Sequence, residues 1–191
     1  MTPKVLVPIA DGTEEIEAVC IIDVLRRAGA DVTVASVERA LQVTASRGVK
    51  IVADVLLEQC RDKTYDLIVL PGGIPGAEHL RDSQVLEELL KRQHSEDRWY
   101  AAICAAPAVV LQPQGLLQGK RATSHPAFME RLDAARAETD RVVVDGRCIT
   151  SRGPGTALEF ALKLIEHLFG PSKAEEVASP MIVAGISMKR G

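Results

Sequence analysis

Three short runs constrain this chain most. Val5-Leu6-Val7-Pro8-Ile9, Tyr65-Asp66-Leu67-Ile68-Val69-Leu70 and Tyr100-Ala101-Ala102-Ile103 carry apolar residues almost without alternation. A strand that is apolar on both faces must be covered on both, which is the condition of a parallel sheet between layers of helix. Asp31 to Ser36 adds a further strand. Between the strands, helical spacing appears: Ile16, Val19, Cys20 and Val24 within Thr13 to Ala28, stopped by Gly29, and Val85, Leu86, Leu89 and Leu90 within Ser83 to Gln93. Gly153-Pro154-Gly155-Thr156 opens a long helix with Leu158, Ala161, Leu162, Ile165 and Leu168 on one face, ended by Gly170-Pro171. Leu41 to Ala53 reads as a strand pair turned at Ser46-Arg47-Gly48, and Arg141 to Ser151 as a hairpin around Asp145-Gly146. Strands alternating with helices give an α/β chain with a mostly parallel central sheet. At 191 residues, residues 1–191 are expected to form one domain.

Candidate chemistry gathers where these strands end. Tyr100 to Pro107 is a strand running directly into a helix, and the small Ala102 and Ala106 leave room for a sharp corner at Cys104. Such a corner lifts the sulfur off the sheet toward backbone N–H groups of the next helix, which favour thiolate. A free cysteine is otherwise a small buried hydrophobe. Pro71-Gly72-Gly73-Ile74-Pro75-Gly76 closes the preceding strand at the same edge, so backbone N–H groups there could stabilise an oxyanion in the same pocket. Glu14, Glu15 and Glu17 crowd one helix start. The first two suit the helix dipole, whereas Glu17 follows Ile16, read as core-facing, and leans toward the site edge. His125, held by Pro126 after a predicted strand, is the histidine on a loop, and His79, His94 and His167 read as solvated residues on helices. Arg47 stands at a loop turn, where arginine is usually solvated.

Several functions are disfavoured. Ala10-Asp11-Gly12-Thr13-Glu14 has one glycine beside two acids, so the first turn is no dinucleotide site, and no lysine follows the later glycines to make a phosphate loop. A formal net charge of -3 gives nucleic acid nothing to hold. The four cysteines are widely spaced, against a zinc site or a disulfide framework, and Cys148 lies within a strand as inert core. No metal and no cofactor is called for. Met1-Thr2-Pro3-Lys4 enters a strand without a leader, and no apolar run reaches a membrane span, so no membrane partner is expected and cytoplasm is the expected address. The tail from Ser172 to Gly191 holds a short helical stretch and an apolar patch, Met181-Ile182-Val183, expected to pack on the body or on a partner.

Four motifs in order then carry a resemblance. Asp11-Gly12-Thr13-Glu14-Glu15-Ile16-Glu17, Leu70-Pro71-Gly72-Gly73, Ala102-Ile103-Cys104-Ala105-Ala106-Pro107 and Ser151-Arg152-Gly153-Pro154-Gly155-Thr156 closely resemble the parkinsonism-associated deglycase (DJ-one) branch of the PfpI superfamily. The likeness covers nearly the whole chain. It implies the class I glutamine amidotransferase-like fold, a flavodoxin-like three-layer sandwich, and a homodimer with the site near the subunit interface. It also implies roles: Cys104 as reactive and oxidisable nucleophile, Glu17 as the carboxyl bonded to it, His125 as a catalytic-pocket residue, Gly72, Gly73 and Ala105 as backbone oxyanion donors, and Arg27 and Arg47 as binders of an anionic group.

Departures narrow the activity. Ala105 stands where the superfamily's peptidases have histidine, and His125-Pro126-Ala127 lacks the carboxylate of an amidotransferase triad, so peptidase and glutaminase readings fall. Ala106 replaces a glycine common in the family. Ala45 and Val52 stand where some relatives have cysteine, leaving redox behaviour to Cys104. Two readings survive: a glutathione-independent glyoxalase or deglycase acting on methylglyoxal, glyoxal or their early protein adducts, and an oxidative-stress sensor or protective chaperone-like protein whose cysteine becomes sulfinate.

Overall fold

The computed structural model describes residues 1–133 and 135–183. In chain order the strands are β1 (Lys4–Ile9), β2 (Asp31–Ser36), β3 (Gln42–Thr44), β4 (Lys50–Val52), β5 (Val55–Leu56), β6 (Leu67–Leu70), β7 (Trp99–Ile103), β8 (Val142–Asp145) and β9 (Cys148–Ser151). The helices are α1 (Glu15–Arg27), α2 (Gly76–Asp82), α3 (Gln84–Ser95), α4 (Ala157–Phe169) and α5 (Pro171–Ala178). Seven strands form one sheet in the order β5-β2-β1-β6-β7-β9-β8. Every pairing in it is parallel except β8 with β9. The helices lie around this sheet, giving the flavodoxin-like α/β fold.

Burial explains why the strands stand where the apolar runs are. Leu6, Ile9, Leu67, Ile68, Leu70 and Tyr100 are all fully buried, as a sheet covered on both sides requires. Opposite β1 and its neighbours, α1 packs on α4 and α4 on α5. Phe160, Leu162, Leu164 and Ile165 make the inner face of α4. The remaining pair, β3 and β4, forms a separate antiparallel hairpin at the expected turn.

The strand order also locates the site. After β1 the chain moves outward to β2 and β5, then returns to lay β6 on the other side of β1. That reversal opens a crevice beyond the carboxyl ends of β1 and β6, where open α/β sheets hold ligands. Leu70 is level with Ala102, and Ile103 with Ser151, so the loops after β6, β7 and β9 emerge at this same edge.

The first helix departs from expectation. Ile16 and Val19 are 58% and 49% exposed, and Cys20 is half-buried. The buried stripe is instead Glu17, Ala18, Ile21, Val24 and Leu25. This helix has two apolar faces, and its periodicity cannot say which one meets the sheet. In the tail the short helix forms, Met181 and Val183 pack on the core, and Ile182 points outward. Residues 184–191 lie outside the described residues.

Gly73, at φ +90, seals the β6 loop onto the first turn: a Cβ there would fall against the Gly12 carbonyl oxygen and 2.5 Å from Glu14 N. Neither obstacle is a flexible side-chain end. Gly73→Ala is therefore expected to cost about 2–4 kcal/mol, roughly 5–10 °C in Tm, measured by thermal denaturation. A melting point unchanged within a degree would mean that the loop relaxes freely.

Candidate functional site

The corner at Cys104 is as sharp as its small neighbours suggest. Its φ of 65 lies in the left-handed region, a conformation costing a non-glycine residue about 1–2 kcal/mol. Three bonds hold it there. Cys104 N–H donates to Ser151 O at 3.0 Å, and Cys104 O accepts from His125 N–H at 2.8 Å and from Ser124 Oγ at 2.6 Å. Directly after the corner, Pro107–Leu111 winds as a π-helical turn of fully buried residues. The residue is 8% exposed, and the N–H groups of Gly73 and Ala105 point at its sulfur.

Glu17 reaches the sulfur from the first turn of α1, which is capped by Glu14 accepting from Glu17 N–H at 2.8 Å. Its carboxyl is wholly buried. Oε2 accepts from Gly72 N–H at 2.8 Å, while the buried Oε1 has no full hydrogen bond and the side chain the carboxyl meets is Cys104. Burial pushes Glu17 up to about 7. Burial and the negative charge of an ionised Glu17 push the Cys104 thiol up to about 12, against the opposing pull of the Gly73 and Ala105 N–H groups.

Glu17 is raised, as expected of a carboxyl bonded to the sulfur, but the thiol, expected to be lowered by the helix N–H groups and a protonated Glu17, is instead raised by burial and by the Glu17 charge. Cys104 becomes an anion readily only when Glu17 holds the proton, so the two groups titrate as one unit. With the proton on Glu17, its O–H faces a thiolate that also has two backbone donors. With the proton on sulfur, the carboxylate keeps Gly72 N–H.

Gly72 needs a second correction. Its N–H is committed to Glu17 and serves no oxyanion, and it must be glycine because a Cβ would stand 2.6 Å from Cys104 Cβ. Gly73 and Ala105 remain as donors. His125 borders the corner through its backbone, and its Nδ1 accepts from Ala127 N–H at 3.2 Å, leaving the hydrogen on Nε2. The predicted strand before it is only an isolated bridge, Ala122 to Ala137.

The two arginines are not brought to the sulfur within one chain. Arg27 lies ten residues along α1 from Glu17, about 15 Å, and pairs with Asp23 at 2.7 Å. Arg47 extends into solvent, but its backbone is anchored: Arg47 N–H donates to Glu15 Oε1 and Ser46 Oγ to Glu15 Oε2, each at 2.7 Å. Glu15 is thus a buried tether for the β3–β4 turn rather than a dipole partner, and these bonds hold its carboxyl below the usual range even though burial alone would raise it. The other histidines have partners as well. His79 meets Glu38 at 2.7 Å, His94 meets Tyr100 Oη at 3.3 Å, and His167 stacks on Trp99, where burial lowers it. Cys148 is buried in β9, in a strand as expected. No cluster of three or more His, Cys, Asp or Glu suited to a metal occurs among the described residues. No helix among them is long and apolar enough to cross a membrane.

Comparison with known proteins places this geometry. Residues 3–167 match the DJ-1/PfpI family. The chain belongs to that family. "Protein DJ-1 homolog A" of Arabidopsis thaliana is 56% identical over 95% of this chain and 47% of its own length, so the chain spans about half of that relative. "Glutathione-independent glyoxalase DJR-1.2" of Caenorhabditis elegans is 40% identical over 94% of this chain and 95% of its own. Among solved structures, "Toxoplasma gondii DJ-1, oxidized" superposes with a TM-score of 0.95 at 51% identity, covering 96% of this chain and all of that one. In this DJ-1/PfpI chain the Glu17 carboxyl meets Cys104 at a corner in the left-handed region.

A carboxyl raised from 4.5 to about 7 favours folding below its unfolded value, and that contribution is lost as pH climbs through the folded value. Relative to wild type, Glu17→Gln should therefore gain about 3 kcal/mol between pH 4.5 and pH 8, measured by urea unfolding. Parallel pH profiles for the two proteins would show that Glu17 is not raised.

Proposed function

We propose that this chain is a cysteine-dependent, glutathione-independent glyoxalase that also acts on early dicarbonyl adducts of proteins. The observation that carries the reading is a buried Glu17 beside Cys104, with Gly73 and Ala105 N–H groups aimed at the same sulfur. The name of the 40% identical worm relative supports it.

The chemistry balances with these groups alone. Cys104 thiolate adds to the aldehyde carbon of methylglyoxal, and Gly73 and Ala105 N–H groups hold the oxyanion until Glu17 protonates it. Glu17 carboxylate next removes the hydrogen on that carbon as a proton. The electron pair moves toward the neighbouring ketone carbon, which takes that proton back, while the proton on the first oxygen passes to the former ketone oxygen as the thioester carbonyl forms. One carbon is oxidised and its neighbour reduced, leaving a thioester of lactate. Water then cleaves the thioester, restoring the thiol. His125, whose backbone N–H donates to Cys104 O, would donate its Nε2–H to the substrate's second oxygen. An acid with a pKa near 7 can both give and take a proton at neutral pH.

Cys104→Ala should abolish lactate formation from methylglyoxal, by at least about 1,000-fold in kcat/KM, and Glu17→Gln should lower kcat about 100-fold with the fold intact. Lactate release continuing at the wild-type rate in either variant would remove that residue from the mechanism.

A sensor role gains support from the oxidised Toxoplasma gondii relative. Here Cys104 would pass to sulfinate under peroxide, with Glu17 donating to it. Mass spectrometry after mild peroxide should show Cys104 modified before Cys20, and Cys20 oxidising first would count against it.

A homodimer fits the outward face of α1. Ile16 and Val19 there, and Val49 and Val52 on the hairpin, are 48% exposed or more, and Val19, Ile22, Ile51 and Val52 line a common groove. The apolar face that α1 does not turn to the sheet would meet its copy in a partner chain. Val19→Glu is expected to halve the mass observed by sedimentation, and an unaltered mass would place the contact elsewhere.

A further inference from the structure

One guanidinium near the corner has no carboxylate to answer it. Arg152 reaches only two carbonyl oxygens, Ser124 O at 3.4 Å and Thr139 O at 3.3 Å, both long for hydrogen bonds, and has no acidic partner among the described residues. It opens onto a cavity of about 290 Å³ lined also by His125, Arg141 and the turn 153–156. Arg141 is already shared between Glu159 at 2.7 Å and Gly155 O at 2.8 Å. The lining together with Glu159 therefore carries one unmatched positive charge.

The cavity walls continue from the atoms that fix Cys104. Ser151, which precedes Arg152, accepts Cys104 N–H, and His125 donates its own N–H to Cys104 O. Gly153 stands against the His125 ring, since a Cβ on it would lie 3.4 Å from Cδ2, the carbon next to Nε2. His125 and Arg152 line the same cavity. The amide end of α4 begins just beyond the turn. The lining comes from three segments of the chain, and a three-carbon dicarbonyl fills only a fraction of the space.

We propose that this cavity is an anion subsite, which takes the carboxylate of a dicarbonyl substrate whose aldehyde end reacts at Cys104. The proposal rests on the glyoxalase reading and narrows its substrate class to α-oxoaldehydes bearing a carboxylate a few carbons away. Arg152 binds the substrate's far end, and Cys104 and Glu17 carry out the same rearrangement as before.

The test uses 4,5-dioxopentanoate and its methyl ester, which take up one water to give 2-hydroxyglutarate or its monoester. The wild-type chain should prefer the acid by about tenfold or more in kcat/KM, as loss of a charge-assisted pair implies. That preference should fall to about one in Arg152→Gln and return in part in Arg152→Lys, which keeps the charge. Equal use of acid and ester by the wild type, or a preference that survives in Arg152→Gln, overturns the subsite. Failure to turn over either compound while methylglyoxal is still converted overturns the subsite; failure on methylglyoxal as well overturns the glyoxalase reading, and binding then decides the subsite. Glutarate titrated calorimetrically into Cys104→Ala should bind, and should bind at least about tenfold more weakly in Cys104→Ala/Arg152→Gln. Equal binding, or none, removes the subsite.

Discussion

The bond from Gly72 N–H to the Glu17 carboxyl is the contact on which the site depends. A carboxyl with no exposure is tolerated only where something satisfies it, and Gly72 supplies its one full hydrogen bond. That bond ties the first turn of α1 to the loop after β6, across the crevice where the strand order reverses. The same closeness excludes any side chain at Gly72, because Cys104 Cβ already occupies the space. Helix, glycine loop and cysteine corner are thus three views of one packing solution.

Much of this could be read from the chain because the strands are apolar on both faces. Asp31–Ser36 forms as expected to the residue, and the corner at Cys104 was signalled by the alanines around it. What escaped reading is directional. Glu14, Glu15 and Glu17 look alike in sequence, yet one caps the helix, one tethers the β3–β4 turn and one meets the sulfur. No pattern tells which amide of Gly72 and Gly73 faces which acceptor. Ile16 and Val19 mislead for a related reason: an apolar residue on a helix reports that it avoids water, and says nothing of which surface covers it. Arg152 carried no signal beyond its motif, since its meaning lies in the carboxylate it lacks.

The charge state of the sulfur shows most plainly how local rules combine. A helix end favours thiolate, but here the following segment is a π-turn of buried residues, and burial together with Glu17 acts in the opposite direction. A cysteine alone in this setting would be inert. On the proposed glyoxalase reading, the site is reactive because its neighbour resists ionisation for the same reason, so that one proton serves both groups and its transfer from one to the other would turn a thiol into a nucleophile. The burial that costs the fold stability at high pH is therefore also the source of the proposed chemistry. Exposing Glu17 would relieve the fold and return its pKa to the ordinary carboxylate range, where it would be ionised at neutral pH, with no proton left for the thiolate or for the carbon next to it.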